Sequence, residues 1–176
     1  MSRRLLLLRH AKSSWATAGL ADHDRPLAPR GNRAVAALRR HLADAHVTPD
    51  LVLCSTARRA VETWDGIAPA CPAGTPVEFD RALYGASAGD LLSRLRRLPA
   101  TVGCVLLVGH NPGLEDLATG LAGSGRVDLL RRLGTKFPTG ALATLVVPGP
   151  WEGLRWSTAE SAGYDVPRDL STATTP

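Results

Sequence analysis

The sequence predicts an α/β fold of three layers, α/β/α, in which helices cover both faces of a mostly parallel central sheet. Four short apolar runs read LLLL, LVLC, VLLV and LATLVV, and strands buried on both faces of a sheet have this continuous apolar pattern. Segments with apolar residues at helical spacing alternate with the first three runs, as in repeated βαβ units. With 176 residues, 44% of them hydrophobic, the chain has the usual size of a single domain, which we place at residues 1–170.

The order of the elements follows from these runs. Strands are predicted first at Leu5 to Leu8, Leu51 to Cys54 and Val105 to Val108. A helix is predicted after each strand, with apolar residues at Val35, Leu38 and Leu42, at Ala57 to Trp64, and at Leu114, Leu117 and Leu121. Because a helix separates each strand from the next, we expect the three strands to be parallel.

Two helix starts carry recognisable capping residues. Ser87 and Asp90 have the spacing of a capping box, which opens a helix at Leu91 to Leu98. Asn111 followed by Pro112 is typical of an N-cap residue and the first position of a helix. These signals place one helix before the third strand and one directly after it.

The last third of the chain has weaker signals. We predict a loop at Ala122 to Gly125, a short helix at Val127 to Leu133 and a strand at Ala141 to Val147. A last edge strand is predicted at Trp151 to Ser157. The final residues, 171–176, are small and polar, so we expect a disordered tail there.

No apolar run is long enough for a membrane span, which takes about 18 to 20 residues. The run from Leu5 to Leu8 is closed by Arg9 and His10. It is also shorter than the apolar region of a signal peptide, about 7 to 15 residues. We therefore expect a cytoplasmic protein without a membrane partner.

The 21 basic and 16 acidic residues give a net charge of +5. The basic residues are dispersed, in pairs such as Arg39/Arg40 and Arg96/Arg97 that fall on predicted helix surfaces. Dispersed charge is more typical of solvated surfaces than of a nucleic-acid interface, so we expect no nucleic-acid partner. The oligomeric state stays open at this point.

The three cysteines, Cys54, Cys71 and Cys104, are widely spaced and form no CxxC motif. They predict neither a disulfide framework nor a zinc site. Cysteine-based phosphatases place five residues between the thiolate and the arginine that binds phosphate, whereas Arg58 and Arg59 follow Cys54 after three and four residues. The sequence also has no GxxxxGK motif, which excludes the P-loop class.

Polar residues follow three predicted strands at the point where each strand ends. Arg9 and His10 end the first strand, Ser55 to Arg58 follow the second, and His110 and Asn111 follow the third. Because the carboxyl ends of parallel strands open toward the same edge of a sheet, we expect these side chains to converge. Two of the loops lead into helix N-termini, which favour anions. The sequence therefore predicts a phosphate site at this edge.

Arginine and histidine have complementary chemistry at such a site. Arg9 and Arg58 can donate forked hydrogen bonds to phosphate oxygens. Arg58 is predicted in the first turn of a helix, where a cation is destabilising, so its position there points to a ligand. His10 and His110 are partly neutral at physiological pH, so one of them can attack phosphorus. Zinc is not expected, because no cysteine or carboxylate stands at the usual spacing from these histidines. The remaining histidines are interpreted as surface residues: His23, His41 and His46.

Five strings resemble those of a known family. LLLLRHAKS, which contains Arg9 and His10, resembles the RHG motif of the histidine phosphatase (phosphoglycerate mutase-like) superfamily, with Ala11 in place of glycine. That replacement makes the chain more similar to the SixA-like branch of phosphohistidine phosphatases. The other four strings follow in family order: RPLAPRG at Arg25 to Gly31, CSTARRAVET at Cys54 to Thr63, GHNPGLEDL at Gly109 to Leu117, and FPTGALA at Phe137 to Ala143. The resemblance covers most of residues 4–147 and implies a phosphoglycerate mutase-like fold.

The resemblance also implies roles for individual residues. His10 is the implied nucleophile, which forms a phosphohistidine without a metal ion or cofactor. The residues implied to hold the phosphoryl group are Arg9, Arg58 and His110, with neutral hydrogen bonds from Ser13 or Asn111. Deleting one such preorganised donor typically costs about 2.7 to 4 kcal/mol of transition-state stabilisation.

The residue that would protonate a leaving group is the least defined part of the site. In the mutase-like branch a glutamate does so, and the corresponding region, PVEFDRALYG, offers Asp80 and Glu78. Of these, Asp80 is the preferred candidate, and Glu115, Asp116 and Asp22 are candidates outside the region. A phosphohistidine leaving group is nitrogen-based and readily protonated, so a site without a clear acid favours phosphoramidate substrates.

These features together predict a phosphatase that acts through a phosphohistidine on His10, with protein phosphohistidine as its substrate. Two alternatives stay open from the sequence. One is a phosphomonoesterase of the same superfamily that acts on a small phosphorylated molecule. The other is a non-catalytic module that binds phosphate.

Overall fold

The computed structural model describes residues 2–171. The strands form one seven-stranded sheet and are β1 (Arg3–Arg9), β2 (Leu51–Ser55), β3 (Val77–Asp80), β4 (Cys104–Gly109), β5 (Ala122–Gly125), β6 (Leu142–Val147) and β7 (Ala159–Asp165). The α-helices are α1 (Pro29–Asp44), α2 (Arg58–Ile67), α3 (Ala88–Arg96), α4 (Gly113–Leu121), α5 (Val127–Thr135) and α6 (Pro167–Ser171). Among the described residues, no helix is both long and apolar enough to cross a membrane.

The strand order across the sheet is β3-β2-β4-β1-β6-β7-β5. Neighbouring strands from β3 to β1 are parallel, and so are β5 and β7. Only β6 runs antiparallel to both of its neighbours, β1 and β7. With helices on both faces, this topology confirms the predicted three-layer α/β fold with a mostly parallel sheet.

Successive side chains of β1 point to opposite faces of the sheet. Leu5 and Leu7 belong to the core formed with α3, α4 and α5, whereas Leu6 and Leu8 belong to the core formed with α1 and α2. All four are almost completely buried, which accounts for the continuous LLLL run. The end of β1 is therefore held from both faces, and this fixes the backbone that leads into His10.

Most predicted helices form within a few residues of their predicted bounds. The capping box of α3 is present: Ser87 Oγ accepts from the Asp90 amide at 3.2 Å, and the Ser87 amide donates to Asp90 Oδ2 at 3.0 Å. The helix ends at Arg96, slightly before its predicted end. The predicted short helix at Val127 to Leu133 is present as α5, which begins at the predicted residue and continues to Thr135.

Two predictions for the last third of the chain are wrong. The segment Ala122 to Gly125 is the edge strand β5 rather than a loop, because its backbone pairs with β7. Trp151 to Ser157 is not a strand: Trp151–Gly153 is a 3-10 turn, and the Trp151 indole is buried and donates to the Val102 carbonyl at 2.7 Å. The last strand is instead β7, which is built mostly of small and polar residues and gave no apolar signal.

The predicted disordered tail at residues 171–176 is largely outside the described part of the chain. Ser171 ends α6. Residues 172–176 lie outside the described residues.

The start of α1 packs directly on the loop that follows His10. The Lys12 carbonyl accepts a hydrogen bond from the Ala28 amide at 2.8 Å. A Cβ atom on Gly31 would lie only 2.2 Å from that carbonyl oxygen, so the close approach requires glycine. Gly31 therefore holds the loop of Lys12 and Ser13 against α1.

The Gly31→Ala variant is expected to lower the free energy of unfolding by about 1 to 3 kcal/mol, because the added methyl group forces the backbone apart. Equilibrium denaturation with urea measures this change. The control is Gly134→Ala in α5, where an added Cβ meets nothing within 4 Å. Alanine is the better helix former, so this control should be neutral or stabilising. Equal effects of the two variants would contradict the packing argument.

Candidate active site

Side chains from the carboxyl ends of three parallel strands line one cavity of about 260 Å³, which we call the strand-end pocket. β1 supplies Arg9 and leads into His10, β4 leads into His110, and α2, which follows β2, supplies Arg59. The other lining residues are Lys12, Ser13, Trp15, Arg25, Asn111 and Thr139. The predicted convergence of Arg9, His10 and His110 is therefore present in the structure.

His10 is buried, with 7% of its surface exposed. Its Nδ1 atom lies 2.7 Å from the Ala11 carbonyl oxygen, which can only accept, so Nδ1 carries the ring proton. Nε2 then holds the lone pair and accepts a hydrogen bond from Arg59 Nε at 3.3 Å. The unprotonated nitrogen of His10 is thus the one beside the Arg59 guanidinium.

The environment of His10 also determines its charge. Burial lowers the pKa of His10 from 6.5 to about 3, with smaller contributions from the charges of His110, Arg59 and Arg9. The ring is therefore neutral at physiological pH. A neutral ring leaves the Nε2 lone pair available for attack on an electrophile.

Arg59, and not the predicted Arg58, lies in the pocket. Arg59 is buried and donates both to His10 and, through Nη2, to Asp22 Oδ2 at 2.9 Å. Arg58 points to solvent with 56% of its side chain exposed, and its Nε pairs with Glu62 Oε1 at 2.7 Å. The prediction that Arg58 lies at the site is therefore wrong, and its neighbour Arg59 occupies that place.

The helical period of α2 explains this correction. Consecutive positions on a helix point about 100° apart, so only one of two neighbouring arginines can face inward. The buried side chains of α2 are Arg59, Ala60, Thr63, Trp64 and Ile67. Arg59 is in register with this inward stripe, whereas Arg58 is in register with the partly exposed Glu62. The spacing of the apolar residues could have distinguished the two from the sequence.

His110 lies next to His10, with 5.0 Å between the ring centroids. Its Nε2 is 2.8 Å from Ser55 Oγ. Burial lowers the pKa of His110 to about 4, and the charge of Arg59 is the next cause. Its Nδ1 is buried and has no hydrogen-bond partner in the described part of the chain. Buried polar atoms of this kind are rare and often mark a group that meets a ligand.

Arg9 and Asn111 are both tied to the loop before β6. Arg9 Nη1 donates to the Phe137 carbonyl at 2.8 Å, and Asn111 Nδ2 donates to the same oxygen at 3.0 Å. Asn111 Nδ2 also donates to Glu115 Oε2 at 2.7 Å. The prediction that Asn111 caps the helix is wrong: Pro112 is the residue that precedes α4, and the Asn111 side chain bonds to Phe137 and Glu115 instead.

Ser13 reaches the pocket, as predicted, together with a residue that the sequence did not single out. Arg25 is buried, and its Nη2 donates to Ser13 Oγ at 2.6 Å. Its Nη1 pairs with Asp22 Oδ1 at 2.6 Å, and its guanidinium lies 3.2 Å from the centroid of the Trp15 ring. Among the residues that the structure describes, three arginines rather than two line the pocket: Arg9, Arg25 and Arg59.

Asp22 holds two of these arginines in place. Its carboxylate accepts from Arg25, from Arg59 and from the Tyr84 hydroxyl, the last at 2.7 Å. The hydrogen bond from Tyr84, followed by those from Arg25 and Arg59, holds the pKa of Asp22 well below its usual range. A carboxyl group that stays ionised is suited to position cations and unsuited to donate a proton.

The sequence model of the histidine phosphatase superfamily (branch 1) matches residues 5–100, a segment that includes Arg9, His10, Asp22, Arg25 and Arg59. The chain belongs to the histidine phosphatase superfamily. The uncharacterized protein Rv1276c of Mycobacterium tuberculosis (strain H37Rv) is 39% identical over 165 residues, which cover 92% of this chain and 100% of that protein. The uncharacterized chloroplastic protein At3g52155 of Arabidopsis thaliana is 33% identical over 171 residues, which cover 88% of this chain and 78% of that protein.

Comparison with solved structures shows which branch of the superfamily this chain resembles. The proposed phosphohistidine phosphatase SixA of Nakamurella multipartitia has a TM-score of 0.79 at 31% identity, over 95% of this chain and 97% of its own. The protein of the same designation from Agrobacterium tumefaciens has a TM-score of 0.79 at 32% identity, and the match covers 93% of this chain and 97% of that protein. The protein histidine phosphatase SixA complexed with tungstate is 21% identical and shares the fold. Its TM-score is 0.76, and the match covers 95% of this chain and 99% of that protein. The chain is therefore a SixA-like histidine phosphatase superfamily member with the phosphoglycerate mutase-like fold.

The acid candidates named from the superfamily resemblance lie outside the pocket. Glu78 and Asp80 both pair with Arg94, and Asp80 Oδ1 accepts from the Ala82 amide at 2.8 Å. They are held there because β3 is the edge strand and α3 presents Arg94 to it. Glu115 is bound to Asn111. Neither Asp80 nor Glu78 lines the strand-end pocket of this superfamily member.

His23 is closer to the site than its interpretation as a surface residue implied. Its Nε2 is 3.0 Å from Thr56 Oγ1, and its ring meets the Tyr84 ring edge to face with 5.0 Å between centroids. Tyr84 in turn contacts the His110 ring at 5.4 Å. His41 is partly exposed, where its Nε2 pairs with Asp165 at 3.3 Å.

The neutral state of His10 can be observed directly by following the imidazole resonances with pH by NMR. His10 is expected to keep its Nδ1–H tautomer and to show no titration between about pH 5 and pH 8, because its pKa is lowered by burial. His41 serves as the internal control, since the hydrogen bond to Asp165 raises its pKa. A His10 resonance that titrates together with or above that of His41 would refute the assignment.

The correction from Arg58 to Arg59 predicts different effects of two neighbouring substitutions on the affinity for inorganic phosphate. Arg59→Gln is expected to weaken binding by about tenfold or more, because a charge-assisted hydrogen bond is lost. Arg58→Gln removes the same charge at an exposed position and is expected to leave the affinity nearly unchanged. Isothermal titration calorimetry measures both, and a larger loss with Arg58→Gln would return that residue to the site.

Proposed function

We propose that this chain is a protein phosphohistidine phosphatase that works through a phosphohistidine intermediate on His10. The observation that carries the proposal is a buried, neutral imidazole whose unprotonated Nε2 lies beside Arg59. An unprotonated imidazole is a nucleophile. Arg9 and Arg59 line the same pocket and can neutralise the oxygens of a phosphoryl group.

In the first proposed step, Nε2 of His10 forms a bond to phosphorus while the bond from phosphorus to the substrate imidazole breaks. The substrate ring leaves as neutral imidazole when its other nitrogen already carries a proton. His10 becomes positively charged in this step. The hydrogen bond from Nδ1 to the Ala11 carbonyl stabilises that charge.

In the second proposed step, the oxygen of a water molecule bonds to phosphorus and the bond between phosphorus and Nε2 breaks. The electron pair returns to Nε2, so His10 is again neutral with its proton on Nδ1. Both protons of the water leave with the phosphate as dihydrogen phosphate. The step therefore balances without an oxidant, a reductant or a second substrate.

The composition of the pocket supports a nitrogen leaving group. Among the residues that the structure describes, none of those lining the strand-end pocket is an aspartate or a glutamate. An alkoxide that leaves a phosphate ester needs a proton from an acid, whereas an imidazole does not. The similarity to the SixA proteins of Nakamurella multipartitia and Agrobacterium tumefaciens, at 31% and 32% identity, further supports phosphohistidine on a protein as the substrate.

The proposed reaction uses neither a metal ion nor a cofactor, because the arginines supply the positive charge. Within the described residues, no group of three or more His, Cys, Asp or Glu side chains is placed to hold a metal ion. Incubation with EDTA is expected to leave turnover unchanged. We also propose a cytoplasmic setting, which the free thiols of Cys54, Cys71 and Cys104 support.

The covalent intermediate gives the decisive test. After incubation with labelled phosphoramidate and a quench without acid, the protein is expected to carry acid-labile, base-stable label. His10→Asn should abolish the label and the turnover, and Arg59→Gln should slow turnover by about a hundredfold or more. His46→Asn is the control, because this exposed histidine lies outside the pocket.

The other outcomes of this experiment identify the alternatives. Label that persists in His10→Asn refutes the assigned nucleophile. Phosphate binding without any label in the wild-type protein favours the non-catalytic module. Faster turnover of small phosphate esters than of phosphohistidine peptides favours the phosphomonoesterase.

A further inference from the structure

A second and larger cavity adjoins the strand-end pocket, and we call it the basic cavity. Its volume is about 410 Å³, and it shares Lys12 and Thr139 with the strand-end pocket. Its wall carries six cationic side chains, from Lys12, Arg30, Arg131, Arg132, Lys136 and Arg168. In the part of the chain that the structure describes, no aspartate or glutamate lines it. The two cavities therefore form one continuous electropositive surface.

Most of this charge is not balanced by carboxylates of residues 2–171, the part of the chain that the structure describes. Arg132 Nη2 and Arg168 Nε both pair with Asp169, at 2.6 and 3.4 Å. The other four, Lys12, Arg30, Arg131 and Lys136, have no ion pair with any described residue. Like charges that face one cavity repel each other, so the arrangement favours an anion that enters from outside.

The position of Arg30 argues most directly for a ligand. Arg132 lies in the last turn of α5 and Lys136 directly follows the helix, where the helix dipole favours cations and no ligand is needed to explain them. Arg30 lies in the first turn of α1, which contains no acidic residue. A cation at that end of a helix is destabilising. An anion bound in the basic cavity would compensate for this unfavourable placement.

The exposure of these cations distinguishes the basic cavity from a phosphate cage. In the strand-end pocket the groups suited to a phosphoryl group, such as His10 and Arg59, are buried and fixed. Lys12, Arg30 and Arg131 are exposed instead. Exposed cations are suited to carboxylates on a partner surface, where the charges attract over a distance. Trp15, at the rim of the strand-end pocket, is 73% exposed, and tryptophan is enriched at protein interfaces.

We propose that the basic cavity binds acidic side chains that flank the phosphorylated histidine of a protein substrate. The inference rests on the proposed function, because it takes the scissile phosphoryl group to be bound at His10. The strand-end pocket then selects the phosphoryl group, and the basic cavity selects the protein that carries it.

The test compares two synthetic phosphohistidine peptides of equal length, one with aspartate and glutamate on both sides of the phosphohistidine and one with asparagine and glutamine. The variant is Arg30→Gln with Arg131→Gln. The control is Arg39→Gln with Arg40→Gln, which removes the same charge from exposed positions of α1 that line neither cavity. The readout is the ratio of kcat/KM for the acidic peptide to that for the neutral peptide.

The wild-type protein and the Arg39/Arg40 control are expected to prefer the acidic peptide, and this preference should weaken with added salt. In the Arg30/Arg131 variant the ratio is expected to fall by about three- to tenfold, the effect of losing two exposed ion pairs. The proposal would be overturned if the ratio stayed unchanged in the Arg30/Arg131 variant, as when kcat/KM falls equally for both peptides. It would also be overturned if the ratio fell by the same factor in the Arg39/Arg40 control.

A binding measurement separates failure of this proposal from failure of the proposed function. The unphosphorylated acidic peptide, labelled with a fluorophore, is titrated with wild-type protein and followed by fluorescence anisotropy. Weaker binding by the Arg30/Arg131 variant than by the Arg39/Arg40 control supports the basic cavity even if no peptide or phosphoramidate is hydrolysed. Equal binding by the two variants refutes the basic cavity even if turnover at His10 is established.

Discussion

Arg9 of β1 lies opposite Gly109 of β4 in a parallel register, and the His10 amide donates to the Gly109 carbonyl at 3.0 Å. Because of this pairing, the residues that leave the two strands, His10 and His110, stay adjacent. The other side of β1 is closed by Gly140, whose N–H lies 3.1 Å from the carbonyl oxygens of both Arg9 and His10. Gly140 has a φ of 77°, which other residues rarely adopt. The backbone, fixed on both sides, thus determines where the chemistry of the site takes place.

The charges of the site depend on this frame. Arg25 and Arg59 would repel each other in the absence of Asp22, which binds both and is itself anchored by Tyr84. The single carboxylate compensates only part of the positive charge, so an excess remains for an anion. That excess also helps to keep His10 neutral, although burial is the larger cause. One arrangement therefore serves two needs of the proposed reaction, an unprotonated nucleophile and a positive surface for the group that it attacks.

The sequence predicts the part of this site that comes from central strands. Arg9, His10 and His110 follow apolar runs, and the ends of parallel strands must meet at one edge of the sheet. Arg59 could have been separated from Arg58 by the helical period of α2. Asp22 was named only as an acid candidate. Its position between two arginines, and the contact with Tyr84, could not be found in this way, because both residues lie in connecting segments whose paths depend on tertiary packing. Strands β5 and β7 were missed for a related reason: they are defined by backbone pairing, and their side chains carry little apolar signal.

The two adjoining cavities differ in a way that follows from desolvation. Burying a cation is costly, and at Arg59 the ion pair with Asp22 offsets part of this cost. Burial also restricts the guanidinium to one position. This restriction is useful in the proposed reaction, in which a phosphoryl group must be held in line with Nε2 of His10. Recognition of a flanking charge requires less geometric order, so exposed cations such as Arg30 are sufficient and avoid the cost of burial. Their contribution is screened by salt, whereas that of the buried groups is screened much less. The proposed division between chemistry and recognition is therefore also a division between buried and exposed charge.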